Sequence, residues 1–220
     1  MIFWQIETDG NRNFGYLIGD LTTKEAAVVD PSFRPDRFLE VAAKPDLRII
    51  YVIGTHSHHD HTQGMSVIKK AVGAKTVRHK SSRVRSDVRV FGDDVIRVGT
   101  LELKIIHTSG HTPDSICILV EDKLITGDTL FVGKVGGTRT RNMAQKEFDS
   151  LHRLMALDDS IEVYPGHDFG VSPTSTIGHE RETNPFLLRT DFEEFVYLKD
   201  NWETYKDKMA KDPLMDVLVI

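Results

Sequence analysis

Histidine and aspartate crowd one short stretch of the chain, Thr55-His56-Ser57-His58-His59-Asp60-His61. Neutral imidazole and carboxylate are donors that zinc and similar divalent ions accept. The stretch follows the apolar run Leu47 to Val52, expected as a buried strand. It precedes Thr62 to Ala71, expected as a short helix that buries Met65, Val67 and Ile68. On extended backbone, residues two apart share a face, so His56 and His58 can meet at one point while His59 faces solvent. The turn into the helix can bring Asp60 and His61 beside them.

Three later strands each end in a loop with one metal-competent residue beside a glycine. Leu101 to Ile106 runs into Ser109-Gly110-His111-Thr112-Pro113-Asp114, Lys123 to Thr126 into Gly127-Asp128-Thr129-Leu130-Phe131, and Ile161 to Tyr164 into Pro165-Gly166-His167-Asp168. Glycine permits the tight turn that aims the next side chain at a shared centre. His111, Asp128 and His167 therefore join His56, His58, Asp60 and His61 as candidate ligands. Asp168, Ser109 and Thr112 are candidates to orient the ligand rings. Lys134, Arg139 and Arg141 follow the Asp128 loop and can hold a substrate carboxylate, arginine by a bidentate contact. His79, His107, His152 and His179 stand alone and are expected at the surface or as caps. Glu180, Arg181 and Glu182 are expected on a helix surface, with Asn184-Pro185 as a helix stop.

These loops need rigid elements behind them, and the hydrophobic pattern supplies an α/β set. Ile2 to Ile6, Phe14 to Ile18 and Ala26 to Val29 read as a meander of strands, followed by an amphipathic helix from Pro35 to Ala43. Thr76-Val77, Val88 to Phe91, Val95 to Val98, Leu101 to Ile106, Ile116 to Val120 and Lys123 to Thr126 make a second series of strands, with Glu121-Asp122 as a hairpin turn. A core-covering helix is expected over Lys146 to Leu157, from the spacing of Phe148, Leu151, Leu154 and Met155, and further helix from Ile177 onward. With 220 residues and no break in composition, residues 1–220 read as one domain, those after about 185 forming a short helical C-terminal extension.

Composition bounds the function. A net charge of −5 argues against a general nucleic-acid binder, which needs a basic face for phosphate. The single Cys117, inside an apolar run, reads as a buried small hydrophobe rather than a nucleophile. Neither a basic leader with a cleavage pattern nor an apolar run of bilayer length is present, so a cytoplasmic location without a membrane partner is expected. The apolar end Val217-Leu218-Val219-Ile220 is expected to pack on the core or at a subunit contact; oligomeric state stays open.

Taken together, His56 to His61, Ser-Gly-His111-Thr-Pro-Asp-Ser, Thr-Gly-Asp128-Thr-Leu-Phe and Tyr-Pro-Gly-His167-Asp resemble the metallo-β-lactamase superfamily over roughly residues 1–185. The resemblance implies a four-layer αβ/βα sandwich: two mixed sheets face to face, helices outside, metals along one edge. Within the superfamily the chain is most similar to the glyoxalase II and persulfide dioxygenase branch, through Thr-Gly-Asp-Thr-Leu-Phe at 126–131, Ser175-Thr176 and Glu180-Arg-Glu-Thr-Asn-Pro185. Between Phe131 and Arg141 it reads Val-Gly-Lys-Val-Gly-Gly-Thr-Arg-Thr, in place of the Gly-Cys-Gly-Lys of glyoxalase II or the Gly-Arg-Thr-Asp of the dioxygenases. The stretch after Pro185 is shorter than the helical substrate domain of the longer glyoxalases.

Carried over by residue, the resemblance implies one metal on His56, His58 and His111 and a second on Asp60, His61 and His167, with Asp128 bridging. Two divalent ions, zinc or with iron in part, would activate a hydroxide for attack on a small-molecule thioester such as a glutathione or other thiol conjugate. Asp60 and Asp128 are then the catalytic carboxylates. The alternative is a mononuclear non-haem iron persulfide dioxygenase using His56, His111 and Asp128. A binding module without catalysis ranks third, because all seven ligand positions are filled.

Overall fold

Successive side chains of a strand point to opposite faces, and the two faces of each sheet find different partners. The computed structural model describes residues 1–211, with side chains through Lys208. The expectation for Val217 to Ile220 lies outside the described residues. The chain runs β1 (Ile2–Glu7), β2 (Phe14–Gly19), β3 (Glu25–Val29), α1 (Pro35–Ala43), β4 (Arg48–Ile53), α2 (His59–Thr62), α3 (Met65–Val72), β5 (Lys75–His79), β6 (Val88–Val90), β7 (Val95–Val98) and β8 (Leu101–His107). It continues β9 (Ile116–Val120), β10 (Lys123–Gly127), β11 (Leu130–Phe131), β12 (Lys134–Val135), α4 (Arg141–Leu154), β13 (Glu162–Pro165), β14 (Ser175–Thr176), α5 (Ile177–Thr183), α6 (Phe192–Asp200) and α7 (Trp202–Lys211).

β1 to β6 form a six-stranded sheet in sequence order, antiparallel over β1-β2-β3 and parallel over β3-β4-β5-β6. The second sheet has six strands in the order β14-β13-β10-β9-β8-β7, with β13 parallel to β10 and the other neighbours antiparallel. Between the sheets, Tyr16, Ile18, Val29 and Ile53 meet Leu103, Ile105, Ile116 and Ile118. The opposite face of the first sheet, with Leu17, Val28 and Val52, packs on Phe38 of α1 and on Met65 and Ile68 of α3. That of the second, with Cys117, Leu124 and Val163, packs on Leu151 and Leu154 of α4, Ile177 of α5, and Phe195 and Leu198 of α6. The architecture is thus the expected four-layer αβ/βα sandwich of two mixed sheets. Sheets covered on both faces carry apolar residues on both, as here.

Several local readings are corrected. Helix opens at His59, three residues before Thr62. Val67 is 47% exposed: Met65 and Ile68, three apart, share the inner face of α3, and Val67 falls on the other side. The long helix begins at Arg141, before Lys146, because the Thr140 side chain accepts from the Met143 amide as an N-cap. His79 is buried and stacks on His107 at 3.9 Å, where an isolated surface histidine was expected. Glu180 is fully buried and accepts from the Gly133 amide and Asn184 Nδ2, so it ties α5 to the β11–β12 turn instead of facing solvent.

Candidate metal centre

The candidate ligands converge at the carboxyl ends of β4, β8, β10 and β13. His56 and His58 lie on the extended link after β4, where His58 has φ −64° and ψ 144°, and Asp60 and His61 follow within the single turn of α2. His59 is exposed, as the spacing requires. Ligand atoms of His56, His58, His111 and Asp128 fall within 4.8 Å of one another, as do those of Asp60, His61 and His167. In the first group His58 Nδ1 lies 3.0 Å from both His56 Nε2 and His111 Nε2. In the second, His61 Nε2 and His167 Nε2 are 3.2 Å apart, and Asp60 Oδ2 lies 3.7 and 3.6 Å from them. Asp128 stands between: Oδ2 is 3.4 Å from His111 Nε2, while Oδ1 is 3.2 Å from His61 Nε2 and 3.4 Å from His167 Nε2.

The other ring nitrogens settle which atoms face inward as lone pairs. Thr55 Oγ1 donates to Asp30 Oδ2 and so accepts from His56 Nδ1 at 3.1 Å. His61 Nδ1 donates to Asp30 Oδ2 at 2.9 Å, His111 Nδ1 to the Gly137 carbonyl at 2.8 Å and His167 Nδ1 to the Asn11 carbonyl at 2.9 Å. These four rings thereby spend their proton outward and turn Nε2 to the centre, the second layer that metal-binding imidazoles need, whereas His58 presents Nδ1. Lone pairs facing at about 3 Å repel unless a cation lies between them. Asp128 Oδ1 is buried with no hydrogen-bond partner, an orphan that a bound ion satisfies. The donor set fits divalent metal.

Electrostatics agree. Burial holds the His56 imidazole well below the usual range, reinforced by the neighbouring His61, and burial also lowers His111. For Asp128, burial acts to raise the carboxyl, but His61, His167 and His56 outweigh it and hold the group well below the ordinary carboxylate value. Burial pulls His61 down, yet Asp128 and Asp30 prevail and raise it. The buried carboxylates draw positive charge into the cluster.

All seven predicted ligands are brought together; the predicted supporting residues are not. Asp168 uses its amide to bond the Arg12 carbonyl, and His167 is oriented by Asn11 instead. Thr112 Oγ1 donates to Asp114, and Ser109 offers its carbonyl to Ser150. The residues that do the supporting were missed: Asp30, Asn13, whose Nδ2 donates to Asp60 Oδ2 at 3.2 Å, and Ser32, whose hydroxyl donates to the Asp60 carbonyl. Asp30 and Ser32 both have positive φ, at 48° and 47°, which bends the chain after β3 under α2. Of the predicted substrate cations, Lys134 Nζ lies 5.3 Å from the Phe169 ring, which stacks on His167. Arg139 is exposed on a cavity of about 450 Å³ with Lys199, and Arg141 is engaged with Glu193 of α6.

Comparison with known proteins agrees with this geometry. A hydroxyacylglutathione hydrolase of Anaeromyxobacter dehalogenans is 32% identical, the alignment covering 81% of this chain and 82% of that protein. The mitochondrial persulfide dioxygenase ETHE1 of Mus musculus is 30% identical over 86% of this chain and 76% of its own. A crystal structure of ETHE1 from Myxococcus xanthus superposes with a TM-score of 0.86 at 36% identity, covering 92% of this chain and 91% of that one. The model of the metallo-beta-lactamase superfamily matches residues 9–167, which span every candidate ligand, and the chain belongs to that superfamily.

Proposed function

We propose that this protein is a metal-dependent hydrolase of a small-molecule thioester, a conjugate of glutathione or another thiol, with two ions held by the seven residues described above. The observation that carries the reading is Asp128, whose two oxygens face separate ligand sets and complete both. Two zinc ions held there would supply Lewis acidity toward a carbonyl oxygen and lower the pKa of water to about 7. The chain's own residues do the rest. Asn13 and Ser32 hold Asp60, and Asp30 fixes the His61 tautomer, so the ligands keep their places without reorganisation during reaction. A thiolate leaves readily, so no protein acid is required at the leaving group. Lys134, over the Phe169 ring that stacks on His167, is the substrate cation best placed for the site; Arg141 is committed to Glu193.

A second reading has its own support in the 36% identity to the Myxococcus xanthus ETHE1 structure. There the chain would be a persulfide dioxygenase using one iron on His56, His111 and Asp128, with open positions for oxygen. Metal analysis of the purified protein, followed by thioester hydrolysis and persulfide-dependent oxygen uptake, separates the two. Two ions per chain with thioester turnover and no oxygen uptake are expected. One iron per chain with persulfide-dependent oxygen consumption overturns the hydrolase reading.

A further inference from the structure

Away from the ligands, a carboxylate and an ammonium are buried together between α4 and α6. Glu147 is fully buried, and the Lys199 side chain, 11% exposed, forms an ion pair with it. Lys199 Nζ also donates to the Gly136 carbonyl at 2.6 Å. Desolvating two charges consumes most of what their attraction returns, so such a pair adds little net stability. What the pair touches gives it another role.

One face of α4 holds the loop that carries His111. Glu147, Ser150 and Arg153 recur every three residues, and along that row Arg153 donates to the His107 carbonyl at 2.7 Å and Ser150 to the Ser109 carbonyl at 2.9 Å. Gly110, at φ +155°, lies so close to Glu147 that a Cβ there would strike the Glu147 backbone. Gly136 lies beside the carboxylate end of the same side chain. A Cβ there would strike the Asp128 carbonyl and come within 3.1 Å of both Glu147 Oε1 and His111 Cβ. The next residue, Gly137, supplies the carbonyl that receives the His111 Nδ1 proton. The backbone beneath His111 therefore rests against Glu147, and Gly136, the residue before the acceptor that turns the ring, lies beside the same side chain with its carbonyl held by Lys199.

We propose that Lys199 is a positioning residue for His111: its ammonium, seated on Glu147, fixes Gly136 and so the Gly137 carbonyl that sets the tautomer and direction of the His111 ring. This rests on the reading of His111 as a metal ligand. It also makes α6, which lies beyond the 9–167 segment matched by the superfamily, part of the machinery of the centre.

The test uses the full chain loaded with cobalt(II), whose visible absorption reports ligand geometry, with affinities taken by chelator competition. Lys199→Met is expected to weaken the His56–His58–His111 site by about tenfold or more and to shift its absorption band, leaving the Asp60–His61–His167 site unchanged. Because Lys199→Met strands a buried carboxylate, the paired variant Glu147→Gln/Lys199→Met removes both charges and should show the same loss while staying folded. Lys199→Arg, which keeps charge and donor, should restore the parent spectrum. A folded paired variant with parent spectrum and parent affinities overturns the proposal and leaves the pair a packing feature. His111→Ala is the control for the ligand reading: if it leaves both affinities intact, that reading fails instead.

Discussion

The two halves of the sandwich supply the centre in opposite ways. The first sheet delivers His56, His58, Asp60 and His61 from one continuous link, and buttresses them through Asp30, which bonds both Thr55 and His61. The second delivers His111, Asp128 and His167 one at a time, from loops after β8, β10 and β13, each held by contacts to distant parts of the chain. His167 is oriented by Asn11 and His111 by Gly137. A local cluster takes its precision from one turn of backbone and one carboxylate. A dispersed set needs the whole second sheet and its helices in register, so Asp128, at the junction, depends on both.

Asp128→Ala tests that junction and carries the largest expected effect. With both oxygens removed, each ligand set loses a donor, and thioester turnover is expected to fall by more than the roughly 100-fold ceiling usual for loss of an outer-shell partner. Metal content after desalting should fall for both ions. Loss of one ion alone would mean that Asp128 serves a single set and that the halves are independent.

Asp30→Asn probes the first half by itself. Asp30 accepts from the Thr55 amide, the Thr55 hydroxyl and His61 Nδ1, three donors that a carboxylate satisfies and an amide, carrying a donor of its own, does not. A loss of about 10- to 100-fold in metal affinity is expected, concentrated at the His61 site. Chelator competition that finds both affinities within about twofold of the parent would show that the turn of α2 holds His61 without its carboxylate.

The same contrast explains what the sequence made legible. Short apolar runs between turns, the cluster His56 to His61 and loops with a ligand beside glycine are local signals, and they located most strands and all seven candidate ligands; Thr76-Val77 and Val88 to Phe91, read with the second series of strands, pair instead in the first sheet, which only tertiary pairing decides. Partners fixed by tertiary contact left no local trace: Glu180 sits in a run of charged residues that looks solvated, yet it is buried on Asn184 and the Gly133 amide. Lys199 and Glu147 lie 52 residues apart, on helices whose relative placement no periodicity reveals. Asp30 was within reach. It directly follows the apolar run Ala26 to Val29, a strand end like those before His111 and Asp128, but without the glycine that marked those two loops.

Cys117 supplies the smallest expected effect and sharpens the comparison from the other side, by asking whether the second half contributes anything beyond ligands. It lies on β9 between the His111 and Asp128 loops but points into the layer under α4, fully buried among Leu124, Leu151 and Leu154. Burial pushes its thiol up to about 11 from an ordinary 9. Between those values the native chain keeps a proton that the unfolded chain gives up, so this group leaves stability untouched below pH 9 and erodes it as pH rises through 11. At pH 8 iodoacetamide should therefore label the denatured protein only. Cys117→Ala should cost about 1 kcal/mol of stability and leave turnover within about twofold of the parent. Labelling of the folded protein with matching loss of turnover would give the second half a nucleophile of its own, and a covalent route would displace the proposed metal-assisted hydrolysis.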